Sequence, residues 1–156
     1  MQDPAKEEIR KAVNDYLAEL DKSSRIGQFF ALHWQDKIAS IVKPAMLELK
    51  EHLSQLAIRS RIADKDVNDD YAGGPYIGMV LYPINKDGHR SFPVISFQGN
   101  SPDVLVEVSY GSPKNELPSI TARQLKLGQI TKESMEAELK DFVINSMKKW
   151  SSDVNS

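Results

Sequence analysis

The sequence predicts an α+β fold, because helix-like and strand-like patterns occur in separate blocks along the chain. Grouped strands favour an antiparallel sheet, whereas parallel strands need a connecting segment, usually a helix, between them. A length of 156 residues fits one domain. We therefore expect a single domain over residues 1–150, with a helical part at 1–63, a sheet at 76–127, a closing helix at 131–150 and a flexible tail at 151–156.

The first helix is predicted for residues 4–20. Asp3 can cap its start, and Pro4 suits the first helical position. Apolar residues then recur at steps of three and four, which places them on one face of a helix. They are Ile9, Val13, Tyr16, Leu17 and Leu20. The polar run 22–24 is expected to end this helix.

Residues 26–62 carry the longest helical pattern, and Pro44 lies in its middle. Proline removes a backbone donor and crowds the preceding turn. The segment is therefore either one long helix kinked at Pro44 or two helices at 26–43 and 44–62. Its apolar residues form two stripes, so it needs two packing partners. One stripe holds Trp34, Ile38, Ile41 and Ala45; the other, with coiled-coil spacing, holds Leu32, Ala39, Val42, Met46, Leu49, Leu53 and Leu56.

A four-stranded antiparallel meander is predicted next, with short turns between the strands. The strands are expected at 76–84, 91–98, 103–110 and 119–127. The third alternates cleanly, with Val106 on one face and Glu107 on the other. Pro93 cannot donate a ladder hydrogen bond, so it should lie at an edge or a bulge.

A C-terminal helix beginning at Thr131 is expected to pack on the sheet. Its start departs from the usual capping box, because Ser134 stands where Glu or Gln is preferred. Its apolar face is formed by Met135, Leu139, Phe142, Val143, Ser146 and Trp150.

Composition excludes several classes of protein. Without cysteine there are no disulfides, thiolate nucleophiles or cysteine zinc sites. The N-terminus has no apolar leader, and no run approaches 18 apolar residues, so we expect a cytoplasmic protein without membrane attachment. A net charge of −2 with no basic block argues against nucleic-acid binding.

No chemical motif predicts an enzyme, a metal or a cofactor. The glycine-rich phosphate loop, the dinucleotide fingerprint and the nucleophile elbow are all missing. Glu48 and His52 share a helix face but supply only two ligands. Residues 64–68 resemble the start of a calcium loop, which then lacks the required glycine and the bidentate glutamate.

These patterns favour a non-catalytic interaction or regulatory module. We expect a homodimer, with a protein partner as a further possibility, formed through the coiled-coil-like stripe at Met46, Leu49, Leu53 and Leu56. The alternative is a small-molecule-binding protein or enzyme with a pocket between sheet and helices. Its predicted polar lining is Tyr76, Tyr82, Glu107, Tyr110 and Arg123.

Overall fold

The N-terminal third of the chain is one continuous helical rod. In this computed structural model, which describes residues 3–65, 75–84, 91–111 and 119–155, the rod comprises α1 (Asp3–Lys37), a π-helical turn (Ile38–Val42) and α2 (Lys43–Gln55). The predicted break at residues 22–24 is wrong. Those residues include neither proline nor glycine, and lysine and serine cost a helix little, so they interrupt the apolar stripe but not the backbone.

Pro44 lies in the first turn of α2, directly after the π-helical turn. There the Lys43 N–H donates to the Ile38 carbonyl, a five-residue step that replaces the usual four-residue one. A wider turn accommodates the missing donor and the bulk of the proline ring. Both predicted alternatives are therefore partly right: α2 begins next to Pro44, but the chain stays helical across it.

The rod ends at a Schellman motif around Ala57. The Ile58 N–H donates to the Leu53 carbonyl at 2.8 Å, and the Ala57 N–H donates to the Ser54 carbonyl at 3.1 Å. Ala57 has a φ of 62°, a left-handed conformation in which glycine is usual. Because no glycine marks this end in the sequence, the helical prediction ran on to residue 62.

The residues beyond this motif form a strand, so the sheet has five strands in the described ranges rather than four. All five are antiparallel and lie in sequence order across the sheet. The α+β class and the antiparallel sheet are confirmed. The strands are β1 (Arg59–Lys65), β2 (Tyr76–Tyr82), β3 (Phe92–Asn100), β4 (Asp103–Gly111) and β5 (Ser119–Lys126).

Pro93 lies in the central strand but is paired on one side only, as a residue at a sheet edge would be. The pairing of β2 with β3 ends at Val80 opposite Val94. Pro93 is one residue beyond that pair and has a partner, Tyr110, only on the β4 side. The missing N–H therefore costs no ladder hydrogen bond with β2.

One face of the sheet packs against the rod and the last helix, α3 (Lys132–Asn155), which follows a 3₁₀ turn at Leu127–Gln129. The buried residues form one cluster to which all three layers contribute. The sheet supplies Ile77, Met79, Leu81, Ile95, Phe97, Val104 and Val106; the rod supplies Phe30, Trp34, Ile38, Val42, Met46 and Leu53; α3 supplies Met135, Leu139, Phe142 and Trp150.

Both ends of α3 are held by side chains. At its start, the Ser134 N–H donates to Thr131 Oγ1 at 3.1 Å, and the Thr131 N–H donates to Ser134 Oγ at 3.0 Å. This reciprocal pair is equivalent to a capping box in which serine replaces glutamate. At its end, Trp150 Nε1 donates to the Ser91 carbonyl at 2.8 Å, and the Ser91 N–H donates to Asp153 Oδ2 at 3.0 Å. The tail predicted at 151–156 is therefore helical as far as Asn155.

Within the described ranges, no helix is both long enough and apolar enough to cross a membrane.

Candidate functional site

The N-terminal part of α1 projects from the rest of the molecule. Every side chain from Asp3 to Lys22 is exposed. We call residues 3–22 the arm, and the sheet, α3 and residues 30–55 of the rod the body. At 1.5 Å per residue the arm is about 30 Å long. It has no apolar packing partner among the described residues.

The arm nevertheless carries a stripe of large apolar side chains. Its members, the arm stripe, are Ile9 (51% exposed), Val13 (50%), Tyr16 (62%), Leu17 (54%) and Leu20 (49%). Single exposed apolar residues are ordinary, but a contiguous exposed patch marks a surface that binds something. Four of the five follow steps of four, three and four residues, which is the spacing of a coiled-coil seam.

Most of the remaining arm residues are charged, which gives the arm the two-sided character of a helix that packs on one face only. Glu7 and Arg10 form an exposed ion pair at 3.1 Å, one turn apart. Such a surface pair adds little stability. The arm therefore gains little from its charges, and burial of its stripe is the larger stabilisation open to it.

The arm stripe lies on the same side of the rod as the body. Tyr16 precedes Trp34 by 18 residues, which is about five helical turns, so both side chains point in nearly the same direction. Trp34 is fully buried, and its Nε1 donates to the Pro75 carbonyl at 2.8 Å. A side chain added at Gly99 would begin 2.8 Å from the Trp34 ring, which shows how closely the sheet approaches the rod.

The predicted interface residues are mostly turned toward the chain's own core. Met46 is fully buried and Leu53 is 3% exposed. Leu49 is half-buried and lines a groove between α2 and α3. Leu56 alone is well exposed, at 59%. Much of this stripe is therefore covered by the protein's own core.

The predicted ligand residues are divided between the two faces of the sheet. Glu107 pairs with Ser96, which pairs with Gly78, so these three point outward, away from the helices. Tyr76 is on that outer face too, since a side chain at Gly78 would collide with its ring. Tyr82 follows Gly78 by four residues and shares its face.

Tyr110 and Arg123 lie on the opposite, helix-covered face. Arg123 pairs with the buried Val106, and Tyr110 is four residues from Val106 on the same strand. The strict alternation of β4 had already placed Tyr110 and Glu107 on different faces. One site holding all five predicted residues is therefore not formed.

Tyr110 and Arg123 do share a groove of about 240 Å³ between β4, β5 and α3. Arg123 forms an ion pair with Glu138 of α3. Burial raises the pKa of the Tyr110 phenol from its ordinary value, and a hydrogen bond with Ser146 partly opposes that rise. Lys149 lies 5.7 Å from the Tyr110 ring centroid. These polar groups are engaged with α3 itself, so they fasten the helix to the sheet.

A second groove, of about 220 Å³, lies between α2 and α3. It brings Glu48 and His52 near Glu136. Across the described part of the chain, however, no three histidine, aspartate or glutamate side chains are placed to hold a metal ion. The calcium-loop interpretation concerned residues 64–75, and 66–74 lie outside the described residues. Asp64 pairs with Lys43 at 3.0 Å.

No known family or fold identifies the chain. No protein-family model matches it, and neither the curated proteins nor the solved structures provide a significant match.

Proposed function

We propose that the chain is a non-catalytic interaction module that self-associates through the arm. The single observation that carries this proposal is the uncovered arm stripe. It replaces the stripe at Met46, Leu49, Leu53 and Leu56 as the association surface, because Met46 and Leu53 are already buried within one copy.

The size of the stripe supports a reversible dimer. Burying the exposed half of each large apolar side chain contributes roughly 1 kcal/mol. Five such side chains on each of two copies contribute about 10 kcal/mol, against an association cost of about 4–15 kcal/mol. The two quantities nearly cancel, so the dimer should form in a concentration-dependent way.

Helix stability supports the same proposal. A helix with no tertiary contact is marginal in water, because its stability in proteins comes mostly from packing of an amphipathic face. Pairing two arms would provide that packing to both at once. A symmetric pair is also the commonest assembly of identical chains, and the four-three-four spacing is the one by which two helices interlock.

The test places charges in the stripe. Wild-type protein should give about twice the 17.5 kDa chain mass by light scattering at high concentration. The double variant Ile9→Glu, Leu20→Glu should give the chain mass, because burying four carboxylates in the seam is unfavourable.

The matched control is Asn14→Glu, Ala18→Glu, which adds the same charge on the far side of the arm and should leave the dimer intact. Circular dichroism checks that the body of each variant is folded. A wild-type protein that stays at the chain mass over the whole accessible concentration range would refute the proposal.

A small-molecule site between sheet and helices is the less supported alternative. The groove that holds Tyr110 and Arg123 has its polar groups engaged with α3, whereas the apolar groups of the arm stripe have no packing partner among the described residues. The observations therefore favour self-association.

A further inference from the structure

We infer that the two arms pair in antiparallel orientation, with the two bodies at opposite ends of the dimer. This inference rests on the proposed self-association. It follows from the position of the body relative to the arm stripe, and it names the geometry in which a second copy fits.

Steric exclusion argues against the parallel arrangement. Tyr16 of the stripe and the buried side chain of Trp34 lie on the same side of one continuous helix, about five turns apart. A second helix running parallel and in register along the stripe would continue toward Trp34. At that level the space is occupied by the sheet, which contacts Trp34 at Pro75 and Gly99.

An antiparallel partner leaves this space free. It runs along the stripe in the opposite direction, so its own body lies beyond the far end of the arm. Leu20, the last residue of the stripe, precedes Phe30, where the rod becomes buried, by ten residues or about 15 Å. With Ile9 of one copy opposite Leu20 of the other, Asp3 of the partner lies opposite position 26, four residues or about 6 Å before Phe30, so the paired helices end before either body begins.

The stripe is also complementary to itself in this direction. In an antiparallel pair, the residue numbers of two opposed positions always have the same sum. When Ile9 of one copy lies opposite Leu20 of the other, Val13 therefore lies opposite Tyr16. The smallest stripe residue then meets the largest. This is the alternation of small and large side chains by which facing layers fill space. In the parallel register each side chain meets its own copy, so Tyr16 would face Tyr16.

The chain has no cysteine, so single cysteines can report the geometry without interference. We would prepare Ile9→Cys and Leu20→Cys, one carrying a mass tag, and oxidise them alone and as a mixture. In the antiparallel pair, two copies of residue 9 lie 11 residues or about 16 Å apart along the axis. A disulfide requires Cα atoms within about 7 Å. Only the mixture should shift to the mass of a covalent dimer.

Ala18→Cys, on the far side of the arm, sets the background for collisional oxidation. Covalent dimers of Ile9→Cys alone and of Leu20→Cys alone would overturn the antiparallel inference while supporting self-association. A light-scattering dimer with no cross-link in any sample would overturn the inference in the same way. Absence of both cross-link and dimer would remove the proposed function itself, so the two failures are distinguishable.

Discussion

The two halves of the helical rod carry similar apolar stripes but differ in how much of the stripe is buried. In residues 30–55, which we call the covered half, Trp34, Val42 and Met46 are fully buried. In the arm, Tyr16 is 62% exposed and its neighbours in the stripe are close to half exposed. Helical periodicity therefore shows which side of a helix is apolar. It does not show whether the chain itself provides the cover.

Directional contacts distinguish the covered half as well. Trp34 donates to the Pro75 carbonyl, and Lys43 pairs with Asp64 of β1. Both contacts join segments far apart in sequence. The ion pair between Glu7 and Arg10 in the arm is local. Of the two long-range contacts, the buried hydrogen bond of Trp34 holds the covered half against the sheet, whereas the exposed Lys43–Asp64 pair adds little stability.

The largest expected difference between the two halves is in the effect of replacing a leucine by alanine. Leu53→Ala removes a side chain that is 3% exposed and should lower the free energy of unfolding by about 2–5 kcal/mol. Leu20→Ala removes one that is 49% exposed and should change it by less than about 0.5 kcal/mol. Urea unfolding at protein concentrations where wild type is monomeric measures both. Equal losses would mean that the arm is packed in the monomer.

The next largest effect is expected from the hydrogen bond between Trp34 and the Pro75 carbonyl, which lies in the covered half. Trp34→Phe keeps an aromatic ring but leaves the buried Pro75 carbonyl with the Gly99 N–H as its remaining donor, and loss of the indole hydrogen bond should cost about 0.5–1.5 kcal/mol. The matched change in the arm, Tyr16→Phe, should leave the unfolding free energy of the monomer nearly unchanged. Thermal unfolding monitored by circular dichroism provides the comparison. A neutral Trp34→Phe would show that the indole N–H does not anchor the rod.

The smallest expected effect is at Ala57, where the covered half ends. Left-handed backbone costs an ordinary residue about 1–2 kcal/mol, and glycine's extra freedom in the unfolded chain offsets roughly half of that. Ala57→Gly should therefore raise the free energy of unfolding by up to about 1 kcal/mol. Ala137→Gly, at an exposed position inside α3, should lower it by about the same amount. A loss of stability in Ala57→Gly would contradict the assigned conformation.

Much of the fold could be predicted from the sequence, because strand alternation and helical periodicity are local signals. Four strands and α3 were found in this way, and so were the buried and exposed sides of β4. The strand at Arg59–Lys65 was missed because its turn uses Ala57 in place of glycine. The helix across Lys22 is not evident from the sequence, because a polar run there interrupts the apolar stripe without ending the helix.

The candidate site was less predictable for a different reason. The stripe at Ile9, Tyr16 and Leu20 was visible, and so was the one at Met46 and Leu53. Deciding which of them faces solvent requires the position of the sheet, which depends on contacts such as Trp34 to Pro75 between residues 41 positions apart. Spacing within one helix holds no information about such contacts.

The unbroken backbone between arm and body has a mechanical consequence. Because α1 is helical without interruption from Asp3 to Lys37, its length sets the distance between the arm and the body. In the proposed dimer, the midpoint of pairing lies about 20 residues from Trp34 in each copy, which at 1.5 Å per residue sets the two bodies roughly 60 Å apart. Two identical sheets would thus be presented at one fixed distance, a spacing that small-angle scattering could measure directly.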